Sequence, residues 1–116
     1  MNLPVFVENS RIPMFLSRFS PIEINAITLG PIILCREKIS KATRQHEAIH
    51  WEQYKECLIL GFLILYLAFY IINLAKGMNG PDAYHNIPFE KEAYKNQSVA
   101  EYLINRQHFA WMRNLK

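Results

Sequence analysis

From Cys57 to Ala75 the chain reads CLILGFLILYLAFYIINLA, nineteen residues without a charge between Glu56 and Lys76. As one helix this run would be about 28 Å long, close to the ~30 Å hydrocarbon core of a bilayer. It is apolar on every side, which excludes an amphipathic surface helix. A chain of 116 residues makes one small domain, 1–116, and leaves too little mass to wrap such a helix all round. The run therefore predicts association with membrane lipid rather than a fully enclosed core helix. No cleavable signal peptide is expected, because Pro4, Glu8 and Pro13 interrupt the opening MNLPVFVENSRIP.

Around the run the chain is punctuated. Residues 1–20 read as irregular, with Pro4 and Pro13 inside them and Pro21 just beyond. Ile22 to Leu29 alternates apolar and polar, Gly30-Pro31 signals a turn, and Ile32 to Arg36 resumes. The pattern predicts a β-hairpin over 22–36. Ser40 or Thr43 caps a helix that carries TRQHEAIHWEQYKE and extends over about 43–60. Gly77 ends the apolar helix, and Asn79-Gly80-Pro81-Asp82 is a turn. Asn86 is expected to cap a helix with Pro88 in its first turn. Ser98 and Glu101 form a capping box that predicts a further helix from Val99 to about Arg113. The fold class expected is mainly α with a small β-hairpin, an α+β domain whose C-terminal helices occupy 86–113.

Lys and Arg number 13 against 10 Asp and Glu, a net charge of +3 spread along the chain. That excludes a nucleic-acid footprint, so no nucleic-acid partner is expected. Cys35 and Cys57 are the two cysteines, too few for a four-cysteine zinc site or a disulfide scaffold. Both read as small apolar residues, Cys35 of a strand and Cys57 of the uncharged run. His108 has no partner in the sequence and reads as a surface or interface residue.

His46-Glu47-Ala48-Ile49-His50 is HExxH. On a helix, positions i and i+4 share a face, so both imidazoles reach one ion. Glu47 then points to the side where a water polarised by that ion would sit. There it can accept a proton as general base and hand it to a leaving amine. A catalytic zinc ion takes three protein ligands and keeps one position open.

A third donor is available downstream, where residues 86–94 read NIPFEKEAY. With HExxH and this segment the chain resembles the gluzincin metallopeptidases, in which a Glu on a second helix completes a His-His-Glu zinc site. In the membrane gluzincins of the CAAX-processing type that ligand opens a Glu-x-x-Ala-Asp signature. Here Glu90 and Ala93 match, and Tyr94 stands in place of the Asp. The chain also looks like small bacterial proteins that pair HExxH and an apolar stretch with an Asn-Pro-Phe-Glu-type segment. The resemblance covers about 43–94. It implies Zn²⁺ as cofactor, His46, His50 and Glu90 as ligands with Glu92 as the alternative to Glu90, and Glu47 as base. Tyr84 or His85 would donate to the oxyanion, and the oriented histidine would need a partner other than the missing Asp. The implied setting is a bacterial inner membrane or a phage-encoded equivalent. Peptide deformylases also carry HExxH with an upstream Cys ligand, but Leu34-Cys35-Arg36 lacks their Glu-Gly-Cys surround.

A single straight helix from His50 to Lys76 would be about 39 Å long and would hold Glu90 away from the histidines. A one-chain site therefore requires the apolar run to fold back. Gly61 is the expected break, with one helix ending near Ile59 or Leu60 and a second running from Phe62 to Lys76. Two functions of different class follow. One is a membrane-associated zinc metallopeptidase acting on a peptide or protein substrate, held by β-augmentation on the 22–36 hairpin. The other is a non-enzymatic small membrane-anchored or assembly protein with a vestigial or structural metal site.

Overall fold

The structure is a computed structural model and describes residues 4–18, 24, 26–36 and 38–115. Six α-helices, a terminal 3-10 turn and one three-stranded sheet make up the described residues, the α+β class expected. Strands β2 (Ala26–Leu29) and β3 (Ile32–Cys35) form the antiparallel hairpin, with Thr28 opposite Ile33. Gly30 holds φ +63 in its turn, a conformation that glycine adopts at little cost. The expected start of this strand, with Ile22, Glu23 and Asn25, lies outside the described residues.

The opening segment is not irregular throughout. Val5–Val7 forms β1, which pairs parallel with β3 to give the order β1-β3-β2, and Ile12–Ser17 forms α1. A three-residue strand is too short to show periodicity, and its pairing is long-range. β2 is left as one edge of the sheet.

Helix α2 (Lys41–Glu56) starts at Ser40, whose hydroxyl accepts the Thr43 N–H at 3.1 Å. It buries His46, Glu47, His50, Gln53 and Tyr54, so its inward face carries the chemistry. Helix α3 (Leu60–Ala75) follows after a corner, and the two axes bend by 110°. The break falls at Cys57–Ile59 rather than at Gly61, which sits inside α3. The first helix thus ends at Glu56, before the expected Ile59 or Leu60, and the second runs from Leu60 to Ala75 at an angle to it rather than straight back.

Leu58 and Ile59 take φ 60 and 59, left-handed values that cost L residues roughly 1–2 kcal/mol each. The Ile59 N–H reaches back to the Tyr54 carbonyl at 2.7 Å, closing the helix end without a glycine. Packing outweighs that strain. Phe62 is buried, stacks on Tyr54 at 4.0 Å and meets Phe89 at 4.5 Å. Burial of each such aromatic contributes about 1.5–3 kcal/mol, and Tyr66 and Phe69 also pack on Phe89.

Among the described residues no single helix is long and apolar enough to cross a membrane; α2 and α3 pass that test only as a bent pair. Helix α4 (Gly80–His85) occupies the segment expected as a turn, because the Asn79 side chain accepts the Asp82 N–H at 2.9 Å. Asn86 closes α4 rather than capping the next helix, and α5 (Pro88–Asn96) begins after Ile87. Asn73 of α3 donates to the Ala83 carbonyl at 2.9 Å and brings this segment back along α3.

The helix expected over 99–113 is broken into α6 (Tyr102–Asn105) and a 3-10 turn, Ala110–Asn114. Glu101 and Phe109 both take φ 60 at the breaks. The reason is tertiary. The Arg106 guanidinium is drawn between Glu56 of α2 and Glu92 of α5, and the Phe109 N–H bonds Glu56 at 2.6 Å. Trp51, Tyr54, Phe62, Ile87, Phe89 and Trp111 form the core beneath these contacts.

Candidate metal centre

The 3.6-residue period of α2 sets His46 and His50 one turn apart on its buried face. Helix α5 crosses that face and delivers Glu90 from its first turn, only 3% exposed. His46 Nε2 lies 3.0 Å and His50 Nε2 lies 3.2 Å from Glu90 Oε1. The donor atoms of the three residues lie within 4.8 Å of one another, so the group could hold a metal ion. Two ligands 2.0–2.1 Å from a tetrahedral ion sit about 3.3 Å apart, close to the two separations between a histidine nitrogen and Glu90.

The outer nitrogens are also committed. His46 Nδ1 meets Gln97 Oε1, and His50 Nδ1 meets Gln53 Oε1, each at 2.8 Å. The Gln53 amide nitrogen donates to the Phe89 carbonyl at 3.0 Å and to Glu92 at 2.9 Å, which fixes its oxygen toward His50. The neutral form of His50 would therefore keep its proton on Nδ1 and leave Nε2 as the atom facing Glu90. Sequence reasoning missed Gln53 and Gln97. The signal available was only an amide three residues after His50, on the same helix face.

Charge in this pocket points the same way. Burial works against the charged His50, but the Glu90 carboxylate outweighs it and raises the imidazole above its ordinary value. Burial likewise opposes ionised Glu90, and the two histidines overcome it and hold its carboxyl below the usual range. A buried carboxylate against two imidazole nitrogens demands positive charge, which either an imidazolium proton or a metal cation supplies.

Glu47 lies beside this group, 7% exposed, with Oε2 3.7 Å from His46 Nε2. Its other oxygen accepts the Thr28 hydroxyl at 3.0 Å, so the hairpin orients it. Burial, opposed by the nearby histidines, raises its carboxyl above the ordinary value. Tyr66, not singled out from the sequence, donates to Glu90 Oε2 at 2.6 Å. Burial raises its phenol, and those of Tyr84 and Tyr94, so all three stay protonated donors at neutral pH.

Glu92, the alternative third ligand, points elsewhere, because two residues along a helix turn a side chain by about 200°. Its carboxylate is 1% exposed and is taken by Arg106 at 2.6 Å, Tyr102 at 2.6 Å and Gln53. Tyr94, where the resemblance expected an Asp, packs its ring on His46 at 4.4 Å, and Gln97 supplies the acceptor instead. Tyr84 pairs with the Tyr94 hydroxyl at 3.0 Å and lines the cavity over the site. His85 is exposed, packs on Tyr84 and Tyr94, and does not line the cavity. Cys35 is buried in β3, Cys57 is half-buried at the corner, and both are free thiols. His108 is 92% exposed in its side chain and stands 3.6 Å from Glu56.

The cavity holds about 550 Å³. Its base carries His46, Glu47, His50 and Glu90, one wall is the β2 edge, and the other is α3 through Leu63, Leu67 and Tyr70. Comparison of the chain with family models, curated proteins and solved structures gave no match.

Proposed function

We propose that the chain is a zinc metallopeptidase, with His46, His50 and Glu90 as ligands and Glu47 as general base. The observation that carries the reading is the paired arrangement of the imidazoles. Both Nε2 atoms meet one Glu90 oxygen while both Nδ1 atoms are held by amide oxygens. Surface histidines on a polar helix have no need of such committed outer partners. The donor set of two imidazoles and one carboxylate suits zinc. Zinc bound there would polarise an amide carbonyl and lower the pKa of water toward ~7.

The chain's own residues supply the rest. Thr28 holds one oxygen of Glu47 and leaves the other free beside the histidines. That oxygen takes a proton from the attacking water. The water oxygen bonds to the acyl carbon, the C–N bond breaks, and Glu47 passes the proton to the departing amine. The Tyr84 hydroxyl in the cavity wall is the donor assigned to the oxyanion. Among the described residues β2 is an edge strand of the sheet and lines the same cavity, which suits an extended peptide paired as an added strand beside the Thr28 carbonyl that Tyr54 holds.

Metal analysis with turnover tests the reading. Purified protein should hold zinc one to one, lose it in His46→Ala and Glu90→Ala, and keep it in Glu47→Gln. Hydrolysis of a peptide library should fall by about 10²–10⁴ in Glu47→Gln. Zinc retained without hydrolysis of any peptide would instead assign a structural site, and protein without zinc would sink the proposal.

A further inference from the structure

Helix α3 walls the cavity with Leu63 and Leu67 and also presents an apolar face to the outside. Only Phe62 and Asn73 of its sixteen residues are buried. Leu60, Leu63, Ile64, Leu67, Ile71 and Leu74 are exposed and recur at helical spacing along one side. The stripe continues past the corner, where Leu58 is 85% exposed. It reaches the hairpin tip as well, because Ile59 sits 4.0 Å from the position a Cβ on Gly30 would take. Leu29 and Ile32, paired beside that turn, are exposed too. An exposed apolar surface of this continuity marks a binding face.

We infer that this face seats in one leaflet of a lipid bilayer, with the cavity over His46, Glu47, His50 and Glu90 opening at the lipid surface. Charge complementarity selects lipid over a protein partner. No charge occurs from Cys57 to Ala75, and the first one beyond is the exposed Lys76 in a chain of net charge +3. An uncharged surface bordered by a cation matches hydrocarbon beneath anionic headgroups. A typical protein interface carries about ten hydrogen bonds, and the six stripe side chains offer none. At about 24 Å, α3 is shorter than the ~30 Å hydrocarbon core, so it lies within one leaflet or along its surface. Resting on the metallopeptidase reading, this geometry names the substrate class: a polypeptide segment emerging from the same membrane.

Flotation of the full-length protein with vesicles of phosphatidylcholine and phosphatidylglycerol tests the seat. Wild-type protein should float with them. Ile64→Glu/Ile71→Glu, altered on the exposed stripe and away from the cavity lining, should lose about tenfold or more in partitioning while keeping its circular dichroism. His46→Ala should float as wild type does, so loss of the metal reading and loss of the lipid reading remain separable. Wild-type protein that stays with the aqueous fraction overturns the inference, whether it sediments as a dimer or as a monomer. So does a double variant that floats undiminished.

Discussion

Arg106 offers the sharpest test of how this fold is held. Its side chain is 3% exposed, with Nη1 2.7 Å from Glu56 and Nε 2.6 Å from Glu92, whose side chains are 6% and 1% exposed. Arg106→Met removes the cation and leaves two buried carboxylates facing one another. Breaking a buried pair by deleting one partner costs about 3–5 kcal/mol, because the remaining charge stays desolvated. In a domain of this size that is a fall in Tm of about 10–25 °C, read by thermal denaturation.

The pH dependence carries the sign. Burial opposes the charged form of Glu92, yet bonds from Arg106, Tyr102 and Gln53 outweigh it and hold the carboxyl below its ordinary value. A depressed folded-state pKa contributes stability above the unfolded value of ~4.3 and loses it as pH falls through the folded one. The gap between wild type and Arg106→Met should therefore be widest near neutral pH and narrow in acid. Adding Glu56→Gln and Glu92→Gln to Arg106→Met should recover more than half of the loss at pH 7. A single variant within about 1 kcal/mol of wild type, or no recovery in the triple variant, would refute the reasoning.

Three further outcomes are expected. Gln53→Leu, which strips His50 Nδ1 of its acceptor, should weaken zinc binding by about 10–100-fold in competition with a chromogenic chelator. Zinc at 100 times its dissociation constant should stabilise wild-type protein by about 2.7 kcal/mol in denaturant titrations, an effect that EDTA abolishes and that His50→Ala lacks. Leu58→Gly should raise stability by about 0.5–1 kcal/mol in urea melts, because it relieves a left-handed φ of 60 at a side chain 85% exposed.

The parts of this structure that were readable in advance are those governed by local rules. Helical spacing alone sets His46 and His50 together, and Gly30-Pro31 alone makes the hairpin turn. The run of uncharged residues required a change of direction, and the chain does change direction. Its place was not readable, because Gly61 is a local cue whereas Leu58 and Ile59 are bent by the packing of Phe62 and Tyr66 onto residues far away. The same limit hid β1, whose partner lies some 27 residues on, at Ile32. It also hid the break in the last helix, where Arg106 answers to Glu56 and Glu92 rather than to the capping box of Ser98 and Glu101. Near the histidines, the expected Asp pointed to a role that must be filled. Which side chain fills it depended on how α5 lies across α2, and that is a property of the assembled core.

Gln53 gives at one end and receives at the other. Its nitrogen grips the backbone next to Glu90 and the carboxylate of Glu92 on α5, while its oxygen steadies the His50 imidazole one turn back on its own helix. A carboxylate there would repel Glu92, an aliphatic group would satisfy neither side, and an ammonium has no acceptor to offer the Nδ1 of His50. Because one amide is wired to both helices, the orientation of His50 is tied to the seating of α5. The Arg106 anchor reaches the same amide through Glu92, so the C-terminal tail and the His50 imidazole are joined by three consecutive hydrogen-bonded links.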